Sequence, residues 1–284
     1  NAPFEKWHMN STIINMNTPP PVGVFYNRMS ASSHTRGHHY APEYTEVVLN
    51  WLEHHNKRVI NNSRALSLEL SKSLQYNELQ KTGIKIPNTI YARGKEQLLH
   101  LGKSFKTPFL TKHNRAGKGL GIRLFQDYTD FEKYITSDEF EDSRDGITLL
   151  QEYIKPKTDT IIRTEFVDSK FLYAVQVDTS NGFELCPADE CNVEDEYCPA
   201  NATGNKFMIL DDFPNSILEG YQTVLKNNHI EIAGIEFVES MNGQLYTYDI
   251  NTNTNYNSIA ENLSNLNGMR AIADFLKREL EKLD

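Results

Sequence analysis

The chain has 284 residues, 39% hydrophobic and 24% charged, with a formal charge of −9. This is the composition of a globular protein with one large domain or two smaller ones, and no apolar run reaches the roughly 20 residues needed to span a bilayer. The acidic balance argues against nucleic acid as the main partner, since a phosphate backbone needs a basic surface, whereas a nucleotide needs only a local cluster of cations.

Three Cys is an odd and low number, which suits a reducing cytoplasm better than a disulfide scaffold. No signal peptide is visible, and a chain starting at Asn1 rather than Met suits a trimmed or tagged N-terminus. Residues 1–21 read as a peripheral lead-in ending in Pro19-Pro20-Pro21. Residues 22–27 (VGVFYN) read as a buried strand, 43–55 as a helix and 58–61 as a second strand, together a small parallel α/β piece. The loop between, 28–40, carries Arg28, Arg36, His34, His38 and His39. A solvated loop is the default; the arginines suit an anionic substrate, and metal ligation by the histidines is the weaker alternative because no Cys or carboxylate is spaced with them.

Residues 63–81 read as one helix, with Leu66, Leu70 and Leu74 four apart and Gly83 as C-cap. Lys72 falls off that stripe and is expected on the surface. Strands are expected at 88–92 and 109–113. The second leads into TKHNRAGKGLGIRLF, residues 111–125, where Gly117, Gly119 and Gly121 alternate with Lys118 and Leu120. Glycines let backbone N–H groups close over phosphates, and Lys112 can place a charge beside them. The spacing is neither GxxxxGK[ST] nor a dinucleotide fingerprint, so a glycine-rich flap between antiparallel strands fits better; a plain flexible hairpin is the bland alternative.

A short amphipathic helix follows at 127–135, an acidic exposed stretch at 136–146 and a strand at 148–154 (TLLQEYI) ending at Lys155-Pro156. Residues 160–167 and 170–179 form an expected antiparallel pair around Asp168-Ser169. Arg163 and Glu165 share a strand face, either a solvated rim or a clamp for a developing anion. Cys186, Cys191 and Cys198 lie with acidic residues in 183–205; a long polar loop is favoured there over a zinc site. Helices are expected at 215–228 and 267–283. Between them, 232–257 reads as a hairpin about Asn242-Gly243. Alternation projects Asp249 and Asn251 to one face, with Glu236 beside them on the partner strand. Three oxygen donors there suit Mg²⁺ shared with phosphates; a solvent-facing strand is the alternative.

The order of these motifs over about residues 60–284 resembles the ATP-grasp superfamily, and within it the RimK-like carboxylate–amine ligases of the α-L-glutamate ligase type. The resemblance lies in Lys72 before Gly83-Ile84-Lys85-Ile86-Pro87, a strand Lys and glycine flap, Gln-Glu-Tyr-Ile, an Ile-Arg strand, and a Gly-x-acid strand followed by Asp-x-Asn. It implies an α+β ATP-grasp fold, in which two α+β subdomains with antiparallel sheets grip ATP. A short α/β segment, 1–62, would precede the ATP-grasp domain, 63–284, divided into a lid part at 63–150 and a Mg²⁺-binding part at 151–284. It implies that Lys72, Lys112 and the flap residues Gly117, Lys118, Gly119 and Gly121 contact the ATP phosphates. Gln151, Glu152, Tyr153 and Ile154 would line the adenine slot and Asp159 would meet the ribose. Arg163 would stabilise an acyl phosphate, and Glu236, Asp249 and Asn251 would hold Mg²⁺ or Mn²⁺.

The departures are Asp249 where members often carry Glu, Ile161 where many carry an acid, and a shorter N-terminal region. The activity so implied joins a small-molecule or peptide carboxylate to an amine, with ATP as co-substrate, in the cytoplasm and without nucleic acid or membrane. A homo-oligomer is compatible with it. A small-molecule kinase on the same scaffold and a non-catalytic nucleotide-binding protein are the alternatives.

Overall fold

In the computed structural model, which describes residues 3–117, 119–180, 207–210, 213 and 215–283, the N-terminal segment is a parallel strand pair bridged by a helix. β1 (Val24–Tyr26) pairs with β2 (Arg58–Ile60) and α1 (Ala41–His54) crosses between them, as parallel strands require. Val48, Trp51, Leu52 and Val59 form the core of this unit. The lead-in is not wholly peripheral, because Trp7 packs on Phe25 with ring centroids 5.4 Å apart.

The helix expected over 63–81 is broken in two. α2 (Ser63–Glu69) ends before Leu70-Ser71, and α3 (Lys72–Lys81) starts with Ser71 as its N-cap, extended and accepting from the Leu74 N–H. The break resets the helical phase, so Lys72 is 6% exposed rather than a surface lysine.

Next come β3 (Thr89–Arg93), α4 (Gly94–Gly102), β4 (Phe109–His113), β5 (Arg123–Phe125), α5 (Tyr128–Thr136) and β6 (Ile147–Glu152). The four strands make an antiparallel sheet in the order β3-β6-β4-β5. Leu98 of α4 and Phe131 of α5 pack with Phe109, Phe125 and Leu150 beneath it.

The rest of the chain builds β7 (Thr160–Val167), β8 (Lys170–Asp178), β9 (Phe207–Leu210), α6 (Ile217–Asn227), β10 (Ile232–Glu239) and β11 (Leu245–Asn251). These strands form a second antiparallel sheet in the order β11-β10-β7-β8-β9. Asp168 and Ser169 both take positive φ in the tight turn between β7 and β8. One face carries the largest core, where Phe166, Ile235, Phe237 and Ile250 meet Tyr76, Leu79, Tyr221 and Leu225. Thus α2 and α3, expected in the lid part, contribute side chains to the core of the five-stranded sheet. α7 (Ser258–Leu263) and α8 (Gly268–Glu281) close the chain, and Ile272 and Phe275 of α8 join Ile60 of β2 to Ile232 of β10.

The architecture is therefore α+β, two antiparallel sheets preceded by a small parallel unit. Lys118 and the Cys-containing stretch 183–205 lie outside the described residues. Among the described residues, no group of three or more His, Cys, Asp or Glu side chains is arranged to hold a metal, so His34, His38 and His39 make no such site. No described helix is long and apolar enough to cross a membrane.

Candidate active site

β7 is the central strand of the five-stranded sheet, and its residues Arg163 and Glu165 face away from the helical core into a cleft beneath the four-stranded sheet. The register sets a row across that face: Asp249 lies opposite Glu236, and Glu236 opposite Arg163. The pairing slips by one residue immediately beyond, with Phe237 opposite Thr247, so Tyr248 is an extra residue in β11. Such a bulge turns two neighbouring side chains to one side. Tyr248, Asp249 and Ile250 all border the cleft, and Ile250 is also part of the buried core. Strict alternation would put Tyr248 on the same face as Ile250.

The cleft brings together Lys72, Lys112, Gly117, Gly119, Arg163, Glu236, Asp249 and Asn251. Gly121, Gln151, Glu152, Tyr153, Ile154 and Asp159 are not among its lining residues. The Gln151 amide donates to the Tyr76 hydroxyl at 2.7 Å and to Thr89 at 3.0 Å. The Glu152 N–H donates to the Asn88 carbonyl at 2.8 Å and the Tyr153 N–H to that of Pro108 at 3.3 Å. These residues sit where β6 leaves the smaller sheet for the larger.

Charges in the cleft are closely matched. Lys72 forms an ion pair with Asp249. Burial works against charge on Asp249, but Lys72 and Lys112 overcome it and hold the carboxyl below its usual pKa. Lys112 donates to the Tyr248 carbonyl at 2.9 Å and lies over the Tyr248 ring, 5.2 Å from its centroid. Burial pushes the Lys112 pKa down, opposed by Asp249 and Glu236. Burial likewise pushes Glu236 up, opposed chiefly by Arg163. The donor set of Glu236, Asp249 and Asn251 consists of hard oxygens carrying two negative charges, which fits Mg²⁺.

Arg163 is held on three sides. Its Nε donates to Glu165 at 2.6 Å, one terminal nitrogen to Glu236 at 3.1 Å, and the other to the Thr254 hydroxyl. Thr254 in turn donates to the second Glu165 oxygen at 2.7 Å. Burial opposes the guanidinium's charge, yet Glu165 and Glu236 raise its pKa well above the ordinary value. Gly234 makes room for it, since a Cβ there would come within 2.6–2.9 Å of the guanidinium. Gly234→Ala is therefore expected to push the head of Arg163 aside and lower turnover by about a hundredfold. Steady-state kinetics beside a melting curve check this, the melting temperature falling as the Arg163 pairing with buried Glu165 and Glu236 loosens.

Residues 70–185 match the family model of the RimK-like ATP-grasp domain. That stretch is similar to the family's domain. Among curated proteins, none matches it. Solved structures share the fold. A RimK domain ATP-grasp protein from Sphaerobacter thermophilus superposes with a TM-score of 0.64 at 14% identity, covering 94% of this chain and 86% of that one. A RiPP-associated ATP-grasp ligase from Chryseobacterium gregarium, in complex with ADP and a leader and core peptide, gives 0.59 at 18% identity, covering 87% and 69%. The ATP-grasp ligase PsnB, with a phosphomimetic variant of its minimal precursor, Mg and ADP, gives 0.58 at 14% identity, covering 84% and 68%.

Within the matched stretch the glycine-rich loop joins β4 to β5, an antiparallel pair. Gly119 and Gly121 take φ of 74° and 72°, and a Cβ on Gly121 would lie 2.1–2.5 Å from the His113 ring. Gly121 thus seats the flap on β4 rather than facing the cleft, and its carbonyl accepts from the Thr111 hydroxyl at 3.1 Å.

Several lining residues escaped the sequence reading. The buried Glu69 carboxylate accepts from the Ala31 N–H at 3.2 Å and from the Thr252 N–H at 2.8 Å. It thereby ties the 28–40 loop to the end of β11. Arg28 donates to Asn253 and Asn255 at 2.7 Å each, so this arginine is engaged within the protein. Ser30, Ser32 and Tyr256 also line the cleft, beside Arg36 and Glu165, both singled out from the sequence. No spacing rule links these residues; only the tertiary fold does.

Proposed function

We propose that the chain is an ATP- and Mg²⁺-dependent ligase that joins a carboxylate to an amine through an acyl phosphate. The observation that carries this is the meeting of Lys72, Lys112, Arg163, Glu236, Asp249 and Asn251 in one cleft under the glycine flap. The ligases of the same fold that bind ADP, Mg and precursor or core peptides support a nucleotide here and a peptide as one substrate.

A carboxylate is a poor acyl donor because its leaving oxygen would be an anion. Its oxygen attacks the γ-phosphorus, the bond to the ADP oxygen breaks, and an acyl phosphate forms. An amine nitrogen then attacks the acyl carbon; the C–N bond forms, phosphate leaves and the amine proton goes to solvent or phosphate. In this reading Lys72 and Lys112 neutralise the nucleotide phosphates, and Arg163 receives the charge that grows on the transferring group. Glu236, Asp249 and Asn251 would hold Mg²⁺, which supplies charge neutralisation between phosphates. The residues at 151–154, together with Asp159, would meet the base and ribose from the junction between the sheets. Nothing in this sequence of steps needs a protein nucleophile.

The test is ADP release from Mg-ATP in the presence of pooled amino acids and short peptides, with products read by mass spectrometry. The expected product has the mass of acid plus amine less water. A phosphorylated product with no amide would make the protein a kinase, and ATP binding without ADP release under any mixture would leave a non-catalytic nucleotide binder.

A further inference from the structure

The cleft face of the five-stranded sheet changes character at Arg163. On one side the register runs through Glu236 to Asp249, all charged. On the other side Arg163 lies opposite Val175, and the neighbouring row runs Ile161, Val177, Phe207. Strands sit about 4.8 Å apart, so this apolar shelf extends roughly 10 Å from Arg163, away from the candidate metal end. Ile161, Val175, Val177 and Phe207 all line the cleft. Tyr256 borders the shelf, its ring 6.1 Å from that of Tyr173, and its buried hydroxyl has no hydrogen-bond partner among the described residues. An unpaired buried hydroxyl is costly, and an acceptor on a bound molecule would relieve that.

We propose that the acid substrate is a monocarboxylate with an apolar body. Its carboxylate meets Arg163, its body rests on Ile161, Val175, Val177 and Phe207, and a carbonyl or similar acceptor takes the Tyr256 O–H. This rests on the ligase reading, which puts the reacting carboxylate at Arg163. A second carboxylate on the shelf would be stripped of water with no described cation beside it, which disfavours dicarboxylates. A free branched acid and a peptide ending in an apolar residue share this chemistry.

Calorimetry on the full chain with saturating Mg-AMPPNP tests it. The probes are 4-methylpentanoate and N-acetyl-Ala-Leu, against glutarate and N-acetyl-Ala-Glu. At least one apolar probe is expected to bind about tenfold more tightly than its acidic counterpart, and whichever does names the source. Val175→Thr, which keeps the shape, should weaken that probe about fivefold. Tyr256→Phe should weaken N-acetyl-Ala-Leu, which has amide carbonyls to accept from the hydroxyl, by a similar factor, about fivefold, and leave 4-methylpentanoate and Mg-AMPPNP affinity unchanged.

Equal or tighter binding of the dicarboxylates overturns the proposal. So does failure of both apolar probes to bind protein that holds Mg-AMPPNP, or competition between probe and nucleotide, which would put adenine on the shelf. ADP release measured in parallel separates the two readings. Apolar binding with no ADP release in any mixture keeps the shelf and ends the ligase; release elicited only by acidic substrates does the reverse.

Discussion

Asp249→Asn is expected to lower Mg-ATP-dependent ADP release by at least about a hundredfold, the scale of removing one preorganised electrostatic group from a reacting centre. The side chain keeps its shape, so the effect is one of charge. Asp249 supplies one of the two formal negative charges among the candidate metal donors and is the ion-pair partner of Lys72. The substitution leaves Lys72, only 6% exposed, without that carboxylate. Breaking a fully buried pair costs about 3–5 kcal/mol, but the Asp249 side chain is 23% exposed, so about 1–2 kcal/mol is the expected loss. Raising Mg²⁺ should recover part of the activity if weakened metal binding is the cause. Unchanged turnover at saturating Mg-ATP would remove Asp249 from the metal site.

Arg163→Ala should be the more damaging change to the fold. Glu165 and Glu236 are 2% and 6% exposed, and each has Arg163 as its ion-pair partner. Losing that partner leaves two buried carboxylates uncompensated, at a cost of about 3–5 kcal/mol in stability. Arg163→Lys separates this from chemistry. A lysine keeps one charge but cannot reproduce a fork that donates to Glu165, Glu236 and Thr254 together. It should fold, bind Mg-AMPPNP within about threefold of the parent, and lose about a hundredfold in turnover, because the partner charge develops only in the transition state. Urea melts, calorimetry and initial rates measure the three quantities. A pure loss of nucleotide affinity would contradict the role given to Arg163.

Much of this site is legible in the sequence. The Asn242-Gly243 hairpin fixes β10 and β11, and period-two alternation brings Glu236, Asp249 and Asn251 near one another. The glycine run after β4 reads correctly as a loop between antiparallel strands. What alternation and periodicity miss are single-residue interruptions. Ser71 interrupts the leucine stripe and turns Lys72 from a surface side chain into a buried one. The bulge at Tyr248 moves an aromatic residue from the core face to the cleft. Both are settled by contacts more than a hundred residues away, since Lys72 closes on Asp249 and Lys112 on the Tyr248 carbonyl.

The Arg163–Glu165 pair teaches the complementary lesson. On an isolated strand it looks like a solvated rim, and it becomes a buried network because β8 and β10 flank β7 on both edges. Likewise, the Asn61 side chain bonds to backbone groups of Glu231, Ile232 and Thr252, and Gln75 to those of Leu68 and Ile250. These two amides hold α2, α3 and β2 against the site strands. Nothing in their local sequence marks them.

The central claim is that one nucleotide and one divalent cation occupy the cleft between the two sheets. A crystal structure grown with Mn²⁺ and AMPPNP tests it most directly through the anomalous signal of manganese. The account predicts a peak within coordination distance of Glu236, Asp249 and Asn251, with the triphosphate running beneath the flap toward Lys72 and Lys112. A peak elsewhere, or a nucleotide lying outside the cleft, would contradict it.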